Sequence, residues 1–147
     1  MGRQNRVRMR LTPERLEAAA RTLLAATGAP EGHASAVAAS LVDAYLRGHG
    51  SHGVIRVPLY ADKVADGALD PTAVPTVDHD GGATVRLDGQ RAFGQVVGRE
   101  AVSLLGERAA EHGIAAVGMR DATHLGRVGE WGERVAALVA TDQPDLT

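Results

Sequence analysis

The chain has no cysteine and few aromatic residues: its 147 residues include one Phe, one Trp and two Tyr. The absence of cysteine excludes a disulfide framework, a zinc–thiolate site and a thiol nucleophile, and it favours a reducing, cytoplasmic location. Proteins that bind nucleic acids usually combine positive charge with aromatic rings for stacking, whereas the formal net charge here is −2. We therefore expect no nucleic-acid partner.

Long apolar runs are also lacking. The longest run spans residues 135–140, whereas a membrane-spanning helix needs about 20 apolar residues. The arginine-rich start is followed by charged residues such as Glu14 and Glu17, so it lacks the apolar core of a signal peptide. We expect no membrane partner, and we interpret residues 1–11 as a flexible basic tail.

Residues 12–69 are predicted to form a helical segment. Thr12 followed by Pro13 is typical of a helix start, with a hydroxyl cap and a proline in the first turn. A second helix is predicted over residues 31–47, and a third from residue 51 or 54 to residue 65. One face of the second helix carries a regular apolar stripe formed by Val37, Leu41, Ala44 and Tyr45.

Residues 70–140 have a different pattern, which predicts a partial β-β-α-β-α unit. Two short strands, the second over residues 83–87, flank an Asp-Gly-Gly sequence that is typical of a hairpin. A helix over residues 94–112 follows, and the apolar run 114–119 then indicates a strand covered on both faces. A polar loop and a short helix over residues 130–139 complete the pattern.

The order of these elements indicates a mixed α/β (α+β) fold, with a helical segment ahead of a small sheet. The last predicted helix should lead into a further strand, but residues 141–147 form a polar stub. We therefore expect the second domain to be incomplete and the chain to be truncated.

Residues 48–53 match the spacing G-x-G-x-x-G of dinucleotide-binding loops. That motif works when a strand precedes it, a helix follows it and an acidic residue lies about 20 residues further on. Here a predicted helix precedes the glycines, so the sequence argues against a Rossmann fold.

His49 and His52 lie three residues apart in the same segment. A zinc site would need a third ligand close by, which the segment lacks, so we expect no metal. Acid–base chemistry is the alternative, because imidazole can take or give a proton near neutral pH. Ser51 could orient the ring of His52 or bind a substrate oxygen.

Arg56 and Tyr60 follow His52 at intervals of four residues, so a continuous helix would place all three on one face. A guanidinium can bind a carboxylate through two parallel hydrogen bonds. Such a stripe would suit a 2-hydroxy or 2-keto acid. Spacing alone, however, favours an ordinary capped helix whose polar face meets water.

The polar loop 121–129 is a second candidate segment, and it contains His124. Loops after the carboxyl ends of strands are where α/β folds bind ligands. The glycines of this loop would let backbone amides approach a phosphate, and Arg127 could add positive charge. Taken alone, a plain turn is the simpler interpretation.

Four segments of the sequence are more specific together than any one of them is alone. They are residues 46–56 (LRGHGSHGVIR), 92–98 (AFGQVVG), 111–118 (EHGIAAVG) and 123–127 (THLGR). In this order and spacing, they resemble the malate/L-lactate dehydrogenase family, over about residues 11–138. The resemblance implies a helical segment followed by the start of a nucleotide-binding domain that is not of the Rossmann type.

The same resemblance implies hydride transfer between NAD or NADP and a small 2-hydroxy or 2-keto acid such as malate, lactate or ureidoglycolate. His52, with Ser51 beside it, matches the residue that gives or takes a proton. Arg56 matches the arginine that binds the substrate carboxylate, and Tyr60 matches a substrate-side tyrosine. His124 matches an acid–base residue in some members and a cofactor contact in others. The stretch implied to touch the dinucleotide comprises His124, Leu125, Gly126 and Arg127. Full-length relatives generally form homodimers.

The chain also departs from the family pattern. Members are much longer, and both an acidic partner and a substrate-side lysine would fall after Thr147, since Lys63 is the only lysine here. Leu125 stands where members have Phe or Tyr. Two alternatives therefore stay open: a truncated, non-catalytic remnant or interaction module of this family, and a metal hydrolase that uses His49 and His52.

Overall fold

The computed structural model of the chain describes residues 10–142, without the side chains of residues 139, 141 and 142. Most of the expected basic tail and of the polar stub lies outside the described residues. The helices and strands are α1 (Pro13–Ala25), α2 (Glu31–Leu46), α3 (Val57–Ala65), β1 (Thr76–Asp80), β2 (Thr84–Asp88), α4 (Gly94–His112), β3 (Ala116–Arg120) and α5 (Gly129–Asp142). The predicted mixed α/β fold is confirmed. Over residues 10–142, none of the helices combines the length and apolar character needed to cross a bilayer.

The first three helices pack into one apolar core. The Thr12 hydroxyl accepts the backbone N–H of Arg15 at 3.4 Å, which caps α1 as the sequence predicts. Side chains buried in this core include Leu24, Val37, Leu41, Tyr60 and Phe93. Tyr45, expected on the same apolar stripe, is instead 54% exposed and packs over Gly53.

The third helix begins later than predicted. Two 3-10 turns, Gly50–His52 and Val54–Arg56, precede α3, which begins at Val57. Pro58 explains this start, because proline has no N–H to donate and its ring collides with the carbonyl four residues earlier. Proline is therefore favourable only in the first turn of a helix. The residues before α3 form the two 3-10 turns instead of an earlier start of the α-helix.

The sheet has the strand order β1-β2-β3. β1 and β2 form the predicted antiparallel hairpin, whereas β2 and β3 run parallel and are joined through α4. Val85 and Leu87 of β2 are buried with Ala101 and Leu104 of α4, which gives the sheet a small core of its own.

The surroundings of β3 differ from the sequence prediction. Residues 114–119 were expected to be covered on both faces, but Ile114 is 73% exposed and Met119 is 40% exposed. In the described part of the chain, β3 is an edge strand that pairs with β2 alone. The expectation of two covered faces is therefore wrong for these residues.

Candidate active site

Two histidines from distant parts of the sequence meet beside the start of α3. The imidazole rings of His52 and His124 stack with their centroids 5.3 Å apart and their planes 25° apart. The hydroxyl of Tyr60 lies 2.9 Å from Nδ1 of His124. The structure therefore joins the two segments that the sequence singled out separately, and we refer to these rings as the histidine pair.

Ser51 and Arg56 flank the histidine pair. Ser51 Oγ lies 3.0 Å from Nδ1 of His52, and Arg56 Nε donates to the carbonyl oxygen of Ser51 at 2.6 Å. Although Arg56 lies on a 3-10 turn rather than on a continuous α-helix, it stays close enough for its charge to act on His124. The predicted residues 51, 52, 56 and 60 therefore belong to one cluster with His124.

Close backbone packing fixes the turn that carries His52. A Cβ atom at Gly53 would lie 3.0 Å from Cβ of Tyr45 and 3.3 Å from the carbonyl oxygen of Leu41. Both distances are shorter than ordinary van der Waals contact, so glycine lets this turn lie directly on α2.

The loop that carries His124 is fixed against the first turn of α4. The Thr123 hydroxyl accepts the backbone N–H of Gly94 and donates to the carbonyl oxygen of Ala92. A Cβ atom at Gly94 would overlap the carbonyl oxygen of His124. The position of the second imidazole thus depends on the absence of a side chain at Gly94.

Gln95 is a member of the cluster that none of the individual sequence motifs predicted. Its side chain is fully buried, and Nε2 donates to the Tyr60 hydroxyl oxygen at 2.9 Å. Burial raises the pKa of Tyr60, and the Gln95 hydrogen bond and the charge of Arg56 only partly oppose this. The one available signal was its place within the family-like segment 92–98.

Burial also governs the titration of His124. It lowers the pKa of this imidazole, because the charged form would lose contact with water. Arg56, His52 when it is protonated, and Lys63 act in the same direction through their positive charge. The neutral form of His124 therefore prevails at neutral pH.

Arg127 lies inside the protein. Its side chain is 8% exposed, and Nη2 donates to Asp43 at 3.0 Å and to Glu133 at 2.9 Å. Arg47 binds the same two carboxylates from the solvent side. Since its guanidinium already has two carboxylate partners, this geometry favours a role of Arg127 in joining α2 to α5 over the expected contact with a phosphate.

We expect Arg127→Met to lower the melting temperature of the chain by several degrees. The substitution leaves two neighbouring carboxylates without their buried partner, and breaking such a pair is more harmful than removing an exposed charge. The matched control is Arg47→Met, because Arg47 contacts the same carboxylates but is about half exposed. Thermal unfolding followed by circular dichroism measures both. Equal melting temperatures for the two variants would contradict the role given to Arg127.

The loss of stability caused by Arg127→Met should also depend on pH. Burial alone would raise the pKa of Asp43, but hydrogen bonds from Arg47 and Arg127 outweigh it and the pKa is lowered. The hydrogen bond from Arg127 likewise lowers the pKa of Glu133. A carboxyl with a lowered folded-state pKa stabilises the fold above its unfolded pKa, and this contribution is lost as pH falls through the folded value. The stability difference between wild type and Arg127→Met should therefore shrink in acid.

Leu125, Gly126 and His49 each make a hydrogen bond that involves the backbone. The carbonyl oxygen of Leu125 accepts the indole N–H of Trp131 at 3.1 Å. Gly126 is buried with a φ of 77°, and its N–H donates to Nδ1 of His124 at 3.3 Å. His49 is exposed, with Nδ1 3.1 Å from the carbonyl oxygen of Arg47. Within residues 10–142, no three or more His, Cys, Asp or Glu side chains are grouped so that they could hold a metal ion.

Comparison with protein families places the chain in a class of dehydrogenases. The model described as malate/L-lactate dehydrogenase matches residues 11–138. The chain belongs to this family, which confirms the resemblance carried by the four sequence segments.

Individual relatives agree with this assignment. The chain is 44% identical over 110 residues to hydroxycarboxylate dehydrogenase B of Escherichia coli K12, covering 75% of this chain and 30% of that protein. The structure is similar to sulfolactate dehydrogenase from Methanocaldococcus jannaschii, with a TM-score of 0.83, 33% identity and coverage of 92% and 38% of the two chains. It is also similar to malate dehydrogenase from Pyrococcus horikoshii, with a TM-score of 0.82, 32% identity and coverage of 97% and 40%. The chain thus spans between 30% and 40% of the length of these relatives.

Proposed function

We propose that this chain carries the acid–base and substrate-anchoring residues of an NAD(P)-dependent oxidoreductase. The reaction is hydride transfer between a nicotinamide cofactor and a small 2-hydroxy or 2-keto acid. The observation that carries the proposal is the stacked histidine pair, with centroids 5.3 Å apart and Arg56 beside it, in a chain of a dehydrogenase family.

The histidine pair supplies the proton chemistry of this reaction. A carbinol carbon can lose hydride only as its hydroxyl loses a proton, so a positioned base is needed. His52 is suited to that role, because Ser51 contacts its Nδ1 and Nε2 has no hydrogen-bond partner among the described residues. In the reverse direction the same nitrogen returns the proton to the keto oxygen.

Arg56 anchors the carboxylate of the acid. Its Nε is used by the Ser51 carbonyl oxygen, whereas its two terminal nitrogens have no hydrogen-bond partner within residues 10–142. Two parallel N–H donors match the two oxygens of a carboxylate. The anchored acid would then present its adjacent carbon to the histidine pair.

The Arg56→Lys variant should bind the acid more weakly. An ammonium keeps the charge but loses the paired donors, so we expect KM for the acid to rise about 10- to 100-fold, with a smaller change in kcat. The matched control is Arg15→Lys on the exposed face of α1, which leaves KM unchanged. Steady-state kinetics with the best acid measures both, and an unaltered KM for Arg56→Lys would remove Arg56 from the substrate site.

NAD or NADP fits part of the loop after β3. His124 and Leu125 are partly exposed, so their side chains are accessible to a bound cofactor. When bound, the cofactor supplies the carbon that accepts or donates hydride. Arg127 does not fit as a phosphate ligand in this arrangement, because Asp43 and Glu133 already neutralise its charge.

The proposal is tested by titrating the folded 147-residue chain with NADH and NADPH, followed by an absorbance assay with malate, lactate and ureidoglycolate. We expect one cofactor to bind and one acid to be turned over. A folded chain that binds neither cofactor, with or without acid, would contradict the proposal and favour an interaction module.

A further inference from the structure

The hydrogen bonds around Tyr60 form a chain with a defined direction. Gln95 Nε2, the Tyr60 hydroxyl and His124 Nδ1 follow one another with separations of 2.9 Å at each step. At its far end, the backbone N–H of Gly126 donates to the same Nδ1 at the longer distance of 3.3 Å. Because a backbone N–H can only donate, Nδ1 must be an acceptor, and the proton of the neutral ring lies on Nε2.

The Tyr60 hydroxyl therefore donates its only proton to His124. Its oxygen is then free to accept a proton, and the Gln95 amide supplies one. If the amide oxygen of Gln95 faced Tyr60 instead, it would attract the hydroxyl proton and turn it away from His124. In this orientation the buried Oε1 of Gln95 has no hydrogen-bond partner in the described part of the chain.

We propose that Gln95 is a positioning residue that, together with the backbone N–H of Gly126, keeps the proton of His124 on Nε2 and so divides the roles of the histidine pair. His124 then donates a hydrogen bond from Nε2, while His52, which contacts Ser51, is the histidine that exchanges a proton with the substrate. The division of roles deepens the proposed function and rests on it, whereas the proton position on His124 does not.

The charges around His124 agree with a neutral ring. Arg56 and Lys63 are positive, and His52 becomes positive when protonated; all three lower the pKa of His124, as does burial. The remaining neighbours in the network, Tyr60 and Gln95, are uncharged at neutral pH. Nothing in this set favours an imidazolium, so the ring has one acceptor nitrogen to be oriented by its neighbours.

The test is long-range ¹H–¹⁵N NMR of histidine-labelled chain, which reports which ring nitrogen carries the proton. We expect Nε2–H for His124 in the wild type. Gln95→Glu keeps the shape of the side chain, but an ionised carboxylate can only accept hydrogen bonds. The Tyr60 hydroxyl would then donate its proton to that carboxylate, and its oxygen would accept a hydrogen bond from Nδ1–H of His124. We expect the His124 proton to move to Nδ1 and its pKa to rise. Gln95→Met removes the donor altogether and leaves the 3.3 Å contact from Gly126 as the remaining constraint on Nδ1, so we expect a mixture of both tautomers.

The control is Gln90→Glu, which makes the same charge change at an exposed loop position and should leave His124 as in the wild type. Circular dichroism establishes that each variant is folded, and Gln95→Met provides the comparison if the buried carboxylate prevents folding. A wild-type ring protonated on Nδ1 would overturn the proposal. So would variants of Gln95 whose His124 keeps the wild-type tautomer and titration over about pH 5 to 9. Since no substrate or cofactor is needed, failure here is distinguishable from failure of the oxidoreductase assay.

Discussion

In the proposed oxidoreductase, replacing His52 by alanine should reduce kcat for hydride transfer by about 10²- to 10⁴-fold, the usual contribution of a positioned acid–base group. The loss follows because hydride cannot leave the carbinol carbon efficiently while its hydroxyl keeps the proton. Binding of the acid should change less, since Arg56 remains in place to hold the carboxylate. The measurement is steady-state kinetics with the cofactor and acid found in the titration.

The chain offers a matched control for this substitution three residues away. His49 is exposed, contacts the backbone of Arg47 and lies outside the cluster, so His49→Ala should retain the wild-type rate. If His52→Ala kept its activity within a few-fold, proton transfer would have to be assigned elsewhere. Equal losses in both variants would point to damage of the whole turn rather than to chemistry at His52.

Gly94→Ala should destabilise the chain by about 3 kcal/mol, at the upper end of the usual cost of overpacking. The new methyl group would overlap the carbonyl oxygen of His124, and a backbone atom cannot turn aside as a flexible side chain can. Either α4 or the loop must shift, so the histidine pair should separate as well. We therefore expect both a lower unfolding midpoint in urea and a lower kcat.

Gly132→Ala is the corresponding control. Gly132 lies within α5, and a Cβ atom there would meet no atom within 4 Å. Alanine is favoured over glycine in helices by about 1 kcal/mol, so this variant should be slightly more stable than the wild type. An unfolding midpoint for Gly94→Ala equal to that of the wild type would show that the loop adapts freely, and would weaken the importance given to close packing.

Local sequence signals predicted many of the elements. The helix over 94–112 was predicted with the bounds observed, because Gly113 adopts the left-handed conformation that ends α4, with a φ of 77°. The Asp-Gly-Gly hairpin was confirmed for the same reason, since its requirements are local. Pro58 was overlooked among such signals, and it moved the start of α3.

Other features depend on contacts between distant residues, which periodicity cannot indicate. Arg127 donates a hydrogen bond to Asp43, which lies 84 residues earlier. The sequence around Arg127 does not predict that partner. The exposure of β3 likewise depends on what lies beside the strand rather than on its own apolar run. The histidine pair was suggested as two separate motifs, and only the fold showed that their rings stack.

The two apolar cores described for this chain have no buried residue in common. Tyr60 comes from the helical core, Gln95 from the first turn of α4, and His124 from the loop that follows the sheet. These contacts therefore lie between the two cores, both of which α4 reaches, through Val96 and Ala101 respectively. Local opening of either core would break these contacts. A ligand bound at them should therefore slow amide hydrogen exchange in both cores.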